Sequence, residues 1–238
     1  MASAEAASAP VPFKKSVARE YLESIVVAVI LALFIRTFVV QAFKIPTGSM
    51  ETNLLIGDHL LVNKEVYSPS GLPLERALLP KKPIQRGHVI VFKFPEDPTR
   101  DFIKRVIGLP GETVEIRNKA VFIDGKKLDE PYVHFLEPPE DSEYAEVHPR
   151  GDDRDSWGPK TVPPGQLFVM GDNRDNSRDS RFWGFLPEDQ VKGRALIVYW
   201  SYEASRDEYH RTGYGEWVTD TLSAFGKTRW NRFFHMIR

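Results

Sequence analysis

Ser49 follows a turn able to present a nucleophile. In Lys44-Ile45-Pro46-Thr47-Gly48-Ser49-Met50, Pro46 fixes one φ and Gly48 permits an unusual one, so the chain can bend sharply before the serine. A hydroxyl held this way can attack a carbonyl carbon. The Ser49 N–H and the Thr47 hydroxyl are then candidate donors to the oxyanion that forms. The same residues also suit a plain linker. A serine needs a base. Asp101 to Gly108 reads as a strand, which places Lys104 on one face with Phe102 and Val106, and Arg105 on the other with Ile103 and Ile107. A lysine among apolar side chains loses hydration of its charged form, so its pKa falls and the neutral amine becomes a base. Periodicity does not separate this from an edge-strand lysine whose head reaches water.

A third segment, Gly171 to Gly184, packs Asp, Asn, Ser and Arg into one loop after an apolar strand. A calcium loop starting at Asp175 would need glycine at Ser180 and glutamate at Leu186, so that reading fails. Two readings stay open: a surface loop knitted by Asp–Arg pairs, and a shell that orients a lysine base. The chain has no cysteine, which excludes disulfides, thiolate metal sites and a cysteine nucleophile. Its six histidines have no tight ligand spacing, so neither a catalytic metal nor a cofactor is expected. A formal net charge of −1 gives no global signal for nucleic acid.

The elements that must position these residues come from 238 residues, enough for one medium domain or two small ones. Met1 to Val11, rich in Ala, Ser and Pro, reads as a disordered tail. The apolar run Leu22 to Phe43 reads as a spanning helix over 22–42, with Arg36 near enough to its end to snorkel. Lys14, Lys15 and Arg19 then put residues 1–21 in the cytoplasm. Residues 43–238 would form a β-rich domain on the other side, with short β-branched and aromatic runs separated by turns. Glu112 to Asp124 reads as a hairpin turning at Asn118-Lys119. The acidic, Pro-rich stretch at about 126–164 reads as an inserted loop or small cap. The basic, aromatic tail Lys227 to Arg238 suits either a lipid headgroup layer or packing onto the β-domain, and the sequence does not choose.

Five ordered blocks resemble bacterial type I signal peptidase, from the apolar run to about Ser201. They are Pro46 to Met50, Gly57 to Lys64, Arg86 to Phe92, Phe102 to Glu112, and Gly171 to Gly184. The resemblance implies a mainly-β, extracytoplasmic, all-β catalytic domain preceded by one N-terminal transmembrane helix. It implies a serine endopeptidase, single-pass in the bacterial cell membrane, that touches membrane lipid and removes signal peptides from secretory preproteins after small-x-small sites. By the same resemblance Ser49 is the nucleophile, Lys104 the base, and Thr47 with the Ser49 N–H the oxyanion hole. Ser177 would hydrogen-bond the lysine, and Asp179 and Arg181 would form a supporting ion pair. Ile45, Pro46, Met50, Leu54, Leu60, Phe102 and Ile103 would contact substrate. The family's Met-x-Pro-Thr-Leu is here Met50-Glu51-Thr52-Asn53-Leu54, so the usual Pro-Thr pair is absent. Self-cleaving repressors share the Ser-Lys chemistry, but the apolar run and the Gly171 to Gly184 loop argue against them. The S-x-x-K of penicillin-binding enzymes fails because Met50-Glu51-Thr52 follows Ser49. A non-enzymatic assembly factor would leave the three polar blocks unexplained.

Overall fold

The computed structural model describes residues 16–64, 83–136, 155–203 and 226–237. The expected tail Met1 to Val11, Lys14, Lys15 and the centre of the expected insert, residues 137–154, lie outside the described residues. The chain forms two compact units, Met1–Phe38 and Val39–Arg238.

In the first unit, α1 (Val17–Phe34) starts at Ser16, whose side chain caps the Arg19 N–H. Arg19 and Glu23 form an i,i+4 pair at 2.9 Å, and none of the helix's residues is buried. This helix corrects the sequence reading. Among the described residues no helix is long and apolar enough to cross a membrane. The first turns of α1 carry Arg19, Glu20 and Glu23. Its charge-free part, Ser24 to Phe34, rises about 16 Å, roughly half of a hydrocarbon core of about 30 Å. After Phe34 the backbone loosens into a π-helical turn, Ile35–Val39, then extends as β1 (Val40–Lys44). The apolar residues Val40 to Phe43 that completed the expected span are therefore strand residues. The expected single-pass transmembrane helix and the cell-membrane localisation built on it are overturned together.

The second unit is mainly β. Its larger sheet has the strand order β1-β2-β11-β3-β4-β9-β10, with β12 also paired to β11. Here β2 is Asp58–Asn63, β3 Val89–Phe94, β4 Asp97–Gly108, β9 Gln166–Met170, β10 Leu186–Pro187, β11 Val191–Ser201 and β12 His235–Met236. A second sheet runs β7-β6-β5-β8, with β5 Thr113–Arg117, β6 Ala120–Ile123, β7 Lys126–Lys127 and β8 Trp157–Thr161. The registered pairs are all antiparallel, so side chains alternate between faces along each strand. In β2, Asp58, Leu60 and Val62 are buried and the residues between them half-buried. The β5–β6 hairpin turns at Asn118 and Lys119, both at positive φ, as a two-residue hairpin turn requires. β7 and β8 lie in the stretch read as an insert, where Gly158-Pro159 and the charged Lys126-Lys127 hide the strand pattern.

Among the described residues three apolar clusters fill the unit. One joins Ile45, Met50, Leu54, Leu60 and Ile103 with Val62, Val198 and Ile237, and lies against the residues around Ser49. The second is built on Phe92, Val106 and Leu186 and takes Phe102 at its edge. The third fills the space around the smaller sheet with Ile107, Val114 and Phe168. Burial of each large aliphatic side chain contributes about 1.5–3 kcal/mol, so the clusters hold the site's strands in fixed register.

Candidate active site

Ser49 sits in a 3-10 turn, Gly48–Met50, separated from β1 by Ile45, Pro46 and Thr47. Thr47 caps the turn in an extended conformation without a side-chain capping bond. At the start of a helical turn the first amides have no partner within it, and the Ser49 N–H is one of these. The turn is tied at both ends: Ile45 N–H donates to Asp58 O at 2.9 Å, and Leu54 N–H to Met50 O at 2.8 Å. Met50 is completely buried and Leu54 nearly so, which seats the turn on the first cluster.

Lys104 reaches this turn from β4. Ile90 on β3 is its cross-strand neighbour, and Val106 two residues on pairs with Val169 of β9, so β4 is an interior strand. Lys104 is only 3 % exposed, and its Nζ donates to Ser49 Oγ at 2.7 Å and to Ile103 O at 3.0 Å. The ammonium also lies 5.4 Å from the centre of the Phe102 ring. Burial pushes the Lys104 pKa down to about 8, against the nearby charges of Asp179 and Asp172, which favour the cation. The structure thus answers the question left open by periodicity: the lysine is a core residue.

Strand alternation sends Arg105 to the opposite face. Its Nε and Nη2 form a forked, buried pair with Asp172 at 2.7 and 2.6 Å, and Nη1 donates to Gly87 O at 2.8 Å. Its guanidinium stacks 4.0 Å over Tyr132. The pair fixes β4 against the polar loop.

That loop, Gly171 to Gly184, wraps around Asp179. Asp179 accepts from Ser177 Oγ at 2.7 Å, from Gly171 N–H at 3.1 Å, and from Arg181 Nε and Nη2 at 2.9 and 3.0 Å. Burial alone would raise the Asp179 pKa, but the Arg181 charge and these donors hold it below the usual carboxylate range. The Ser177 hydroxyl therefore donates to Asp179 and makes no hydrogen bond to Lys104. Asp179 also caps the short helix α2 (Ser180–Trp183) through the Arg181 N–H.

Asn173 closes the loop onto the nucleophile turn. Its backbone N–H donates to Ser49 O at 3.1 Å and its Nδ2 to Gly48 O at 3.4 Å. Gly171 makes the approach feasible, because a Cβ there would lie 2.5 Å from Ser49 O. Asn53, which stands where the family has threonine, donates through Nδ2 to Asp172 Oδ2 and to Tyr132 O, both at 2.8 Å. Thr52, in the proline's place, meets His134 Nε2 at 2.8 Å through Oγ1.

Of the residues expected to contact substrate, Ile45, Met50, Leu54, Leu60 and Ile103 lie in one cluster beside Ser49. Met50 and Leu60 have no exposed surface, so they shape the site from beneath. Pro46 is exposed and Phe102 half-buried, and these two present their own surface. Sequence reasoning assigned no role to Arg105, Asp172, Asn173 or Asn53. The run Gly171 to Gly184 contained Asp172 and Asn173, but nothing in their spacing marks their partners. Among the described residues no group of three or more His, Asp or Glu could hold a metal ion.

Comparison with known proteins shows the family to which the chain belongs. The family model described as signal peptidase, peptidase S26, matches residues 18–200. The signal peptidase I of Leptolyngbya laminosa is 39 % identical over 188 residues, covering 76 % of this chain and 79 % of that protein. That of Pseudomonas aeruginosa is 35 % identical over 215 residues, covering 77 % and 72 %. The crystal structure of a signal peptidase I from Enterococcus faecalis V583 matches with 35 % identity and a TM-score of 0.37, over 48 % of this chain and 97 % of that one. With its family shared over most of its length, the chain belongs to the signal peptidase family, peptidase S26, and is a serine endopeptidase.

Proposed function

We propose that this chain is a signal peptidase I in which Ser49 is the nucleophile and Lys104 its general base. It cleaves signal peptides from preproteins. The observation that carries the reading of the residues is the 2.7 Å contact between Ser49 Oγ and a buried Lys104 Nζ. With its pKa lowered to about 8, the amine is substantially neutral at mildly alkaline pH, and the contact then runs from the serine O–H to Nζ.

In the first half-reaction Lys104 takes the Ser49 proton as Oγ bonds to the scissile carbonyl carbon. The oxyanion is stabilised by the Ser49 N–H and the Thr47 hydroxyl. The carbon–nitrogen bond breaks, and the leaving amine takes the proton from Lys104. In the second half-reaction a water gives its proton to Lys104 and attacks the acyl carbon; the ester bond to Oγ then breaks, and Lys104 returns the proton to Ser49. Ser177, Asp179 and Arg181 act indirectly: their buried network fixes the loop behind the lysine, and the Asp179 charge opposes part of the desolvation.

Specificity for small side chains at the first and third positions before the cut follows from a site floored by Ile45, Met50, Leu54, Leu60 and Ile103. These five side chains are buried in one cluster, and Pro46 and Phe102 present the accessible surface. Purified protein tested on a preprotein, with Ser49→Ala and Lys104→Ala beside wild type, examines the reading. Both folded variants should lose cleavage by several orders of magnitude, on the scale of removing a member of a catalytic unit. Turnover near wild type in either variant rejects the assignment.

A further inference from the structure

The segment 226–237 lies beyond the family-matched residues 18–200, yet it reaches the back of the nucleophile turn. Its 3-10 turn, Trp230–Arg232, precedes β12, and Ile237 enters the same apolar cluster as Met50 and Leu54. Arg229 Nη1 donates to Ile56 O at 2.9 Å. Arg232 does more. Its Nε and Nη2 fork onto the fully buried Asp58 at 3.1 and 2.6 Å, and Nη2 also donates to Asn53 O at 2.8 Å. Asp58 Oδ2 in turn accepts from Leu55 N–H at 2.8 Å. The whole loop from Asn53 to Asp58, which connects the Ser49 turn to β2, is thus held from one side by two arginines.

Asn53 is the junction. Its backbone oxygen is held by Arg232, while its side chain holds Asp172 from the other direction. Asp172 is forked onto Arg105, the residue after Lys104. One continuous run of hydrogen-bonded groups, Asp58–Arg232–Asn53–Asp172–Arg105, therefore joins the loop after the nucleophile to the strand that carries the base. The two reacting groups sit on separate elements, so their 2.7 Å spacing depends on that loop and strand keeping one relative position.

We propose that Arg232 is a positioning residue for the Ser49–Lys104 pair, acting through Asn53 and Asp58. The inference rests on the reading of Ser49 and Lys104 as the reacting pair. A lysine cannot replace Arg232, because three acceptors converge on one planar fork and an ammonium satisfies them only as a point charge. The proposal separates two outcomes. A brace that only stabilises the fold changes the fraction of folded enzyme. A brace that sets the register of nucleophile and base changes turnover in enzyme that is fully folded.

The experiment measures kcat and KM on a short soluble peptide carrying a small-x-small site, for wild type, Arg232→Ala and Arg232→Lys. Folded fraction is followed by circular dichroism in the same samples. The expected result is a roughly ten- to hundredfold fall in kcat with KM changed less than about twofold. Millimolar guanidinium should restore part of the kcat of Arg232→Ala and leave wild type unchanged. If Arg232→Ala does not fold, Arg232→Lys decides, with a reduced kcat expected. Wild-type kcat in a folded variant, a loss that tracks only the folded fraction, or no response to guanidinium in folded Arg232→Ala overturns the proposal. Wild-type turnover in Ser49→Ala would instead overturn the reading of the reacting pair, and the two failures are read from different variants.

Discussion

Replacing Lys104 with methionine should make the protein more stable at neutral pH while abolishing cleavage. Methionine keeps much of the unbranched stem and removes the charge. The cost of the native lysine follows from its pKa, lowered from 10.5 to about 8 by burial that outweighs the attraction of Asp179 and Asp172. At 1.36 kcal/mol per unit, the folded state disfavours the protonated form by about 3 kcal/mol. Between pH 8 and 10.5 the unfolded chain binds a proton that the folded chain has released, so stability rises with pH through that window. Below it the penalty is fully present, and above it the penalty is gone. Methionine forfeits the hydrogen bonds to Ser49 and Ile103, about 1 kcal/mol each. The net gain for Lys104→Met is therefore about 1 kcal/mol at pH 6. At pH 11 it should turn into a loss of about 2 kcal/mol, since only the hydrogen-bond cost remains. Urea unfolding of both proteins at the two pH values measures the difference, and comparison of the pair cancels the other titrating groups. An unchanged stability difference between pH 6 and pH 11 would refute the argument that Lys104 is buried at the expense of its charge.

Ser177→Ala removes one of the donors to buried Asp179, so it should cost about 1–2 kcal/mol of stability and lower kcat more than it alters KM; kinetics and urea melts of one preparation check both, and a kinetically silent variant contradicts the loop's role. Gly171→Ala places a methyl 2.5 Å from Ser49 O, so the loop must retreat, and kcat should fall roughly a hundredfold in enzyme whose circular dichroism is unchanged. A peptide library should give cleavage after small residues at the first and third positions before the cut; efficient cleavage after large aromatic residues would remove the role given to the Ile45–Leu54–Leu60–Ile103 floor.

Much of the site is legible in the sequence because local rules govern it. Alternation along β4 separates Lys104 from Arg105, and the Pro46–Gly48 turn marks the bend that presents Ser49. Asn118-Lys119 declares its hairpin by its place between two β-patterned runs. The helix is shorter than its hydropathy implies for an equally physical reason. Hydropathy scores Val40 to Phe43 alike in a helix or a strand, and what decides is pairing with Leu60 to Asn63, which lie about twenty residues further along. Such long-range partners also hide the remaining features. Asn53 reads as a departure from the family turn, and only the fold brings it between Asp172 and Arg232. Arg232 sits in a basic, aromatic tail, where composition points equally to a surface and to a core contact. Its buried partner Asp58 precedes it by 174 positions.

The central claim is that a desolvated, neutral Lys104 activates Ser49. Its most direct test is the pH dependence of kcat/KM on a soluble peptide substrate, which reports the free enzyme's essential groups. The account predicts an acid limb that rises with a single ionisation near pH 8 as Lys104 loses its proton. Activity that stays flat from acid through alkaline pH, or an acid limb set by a group titrating near an ordinary lysine, would contradict it.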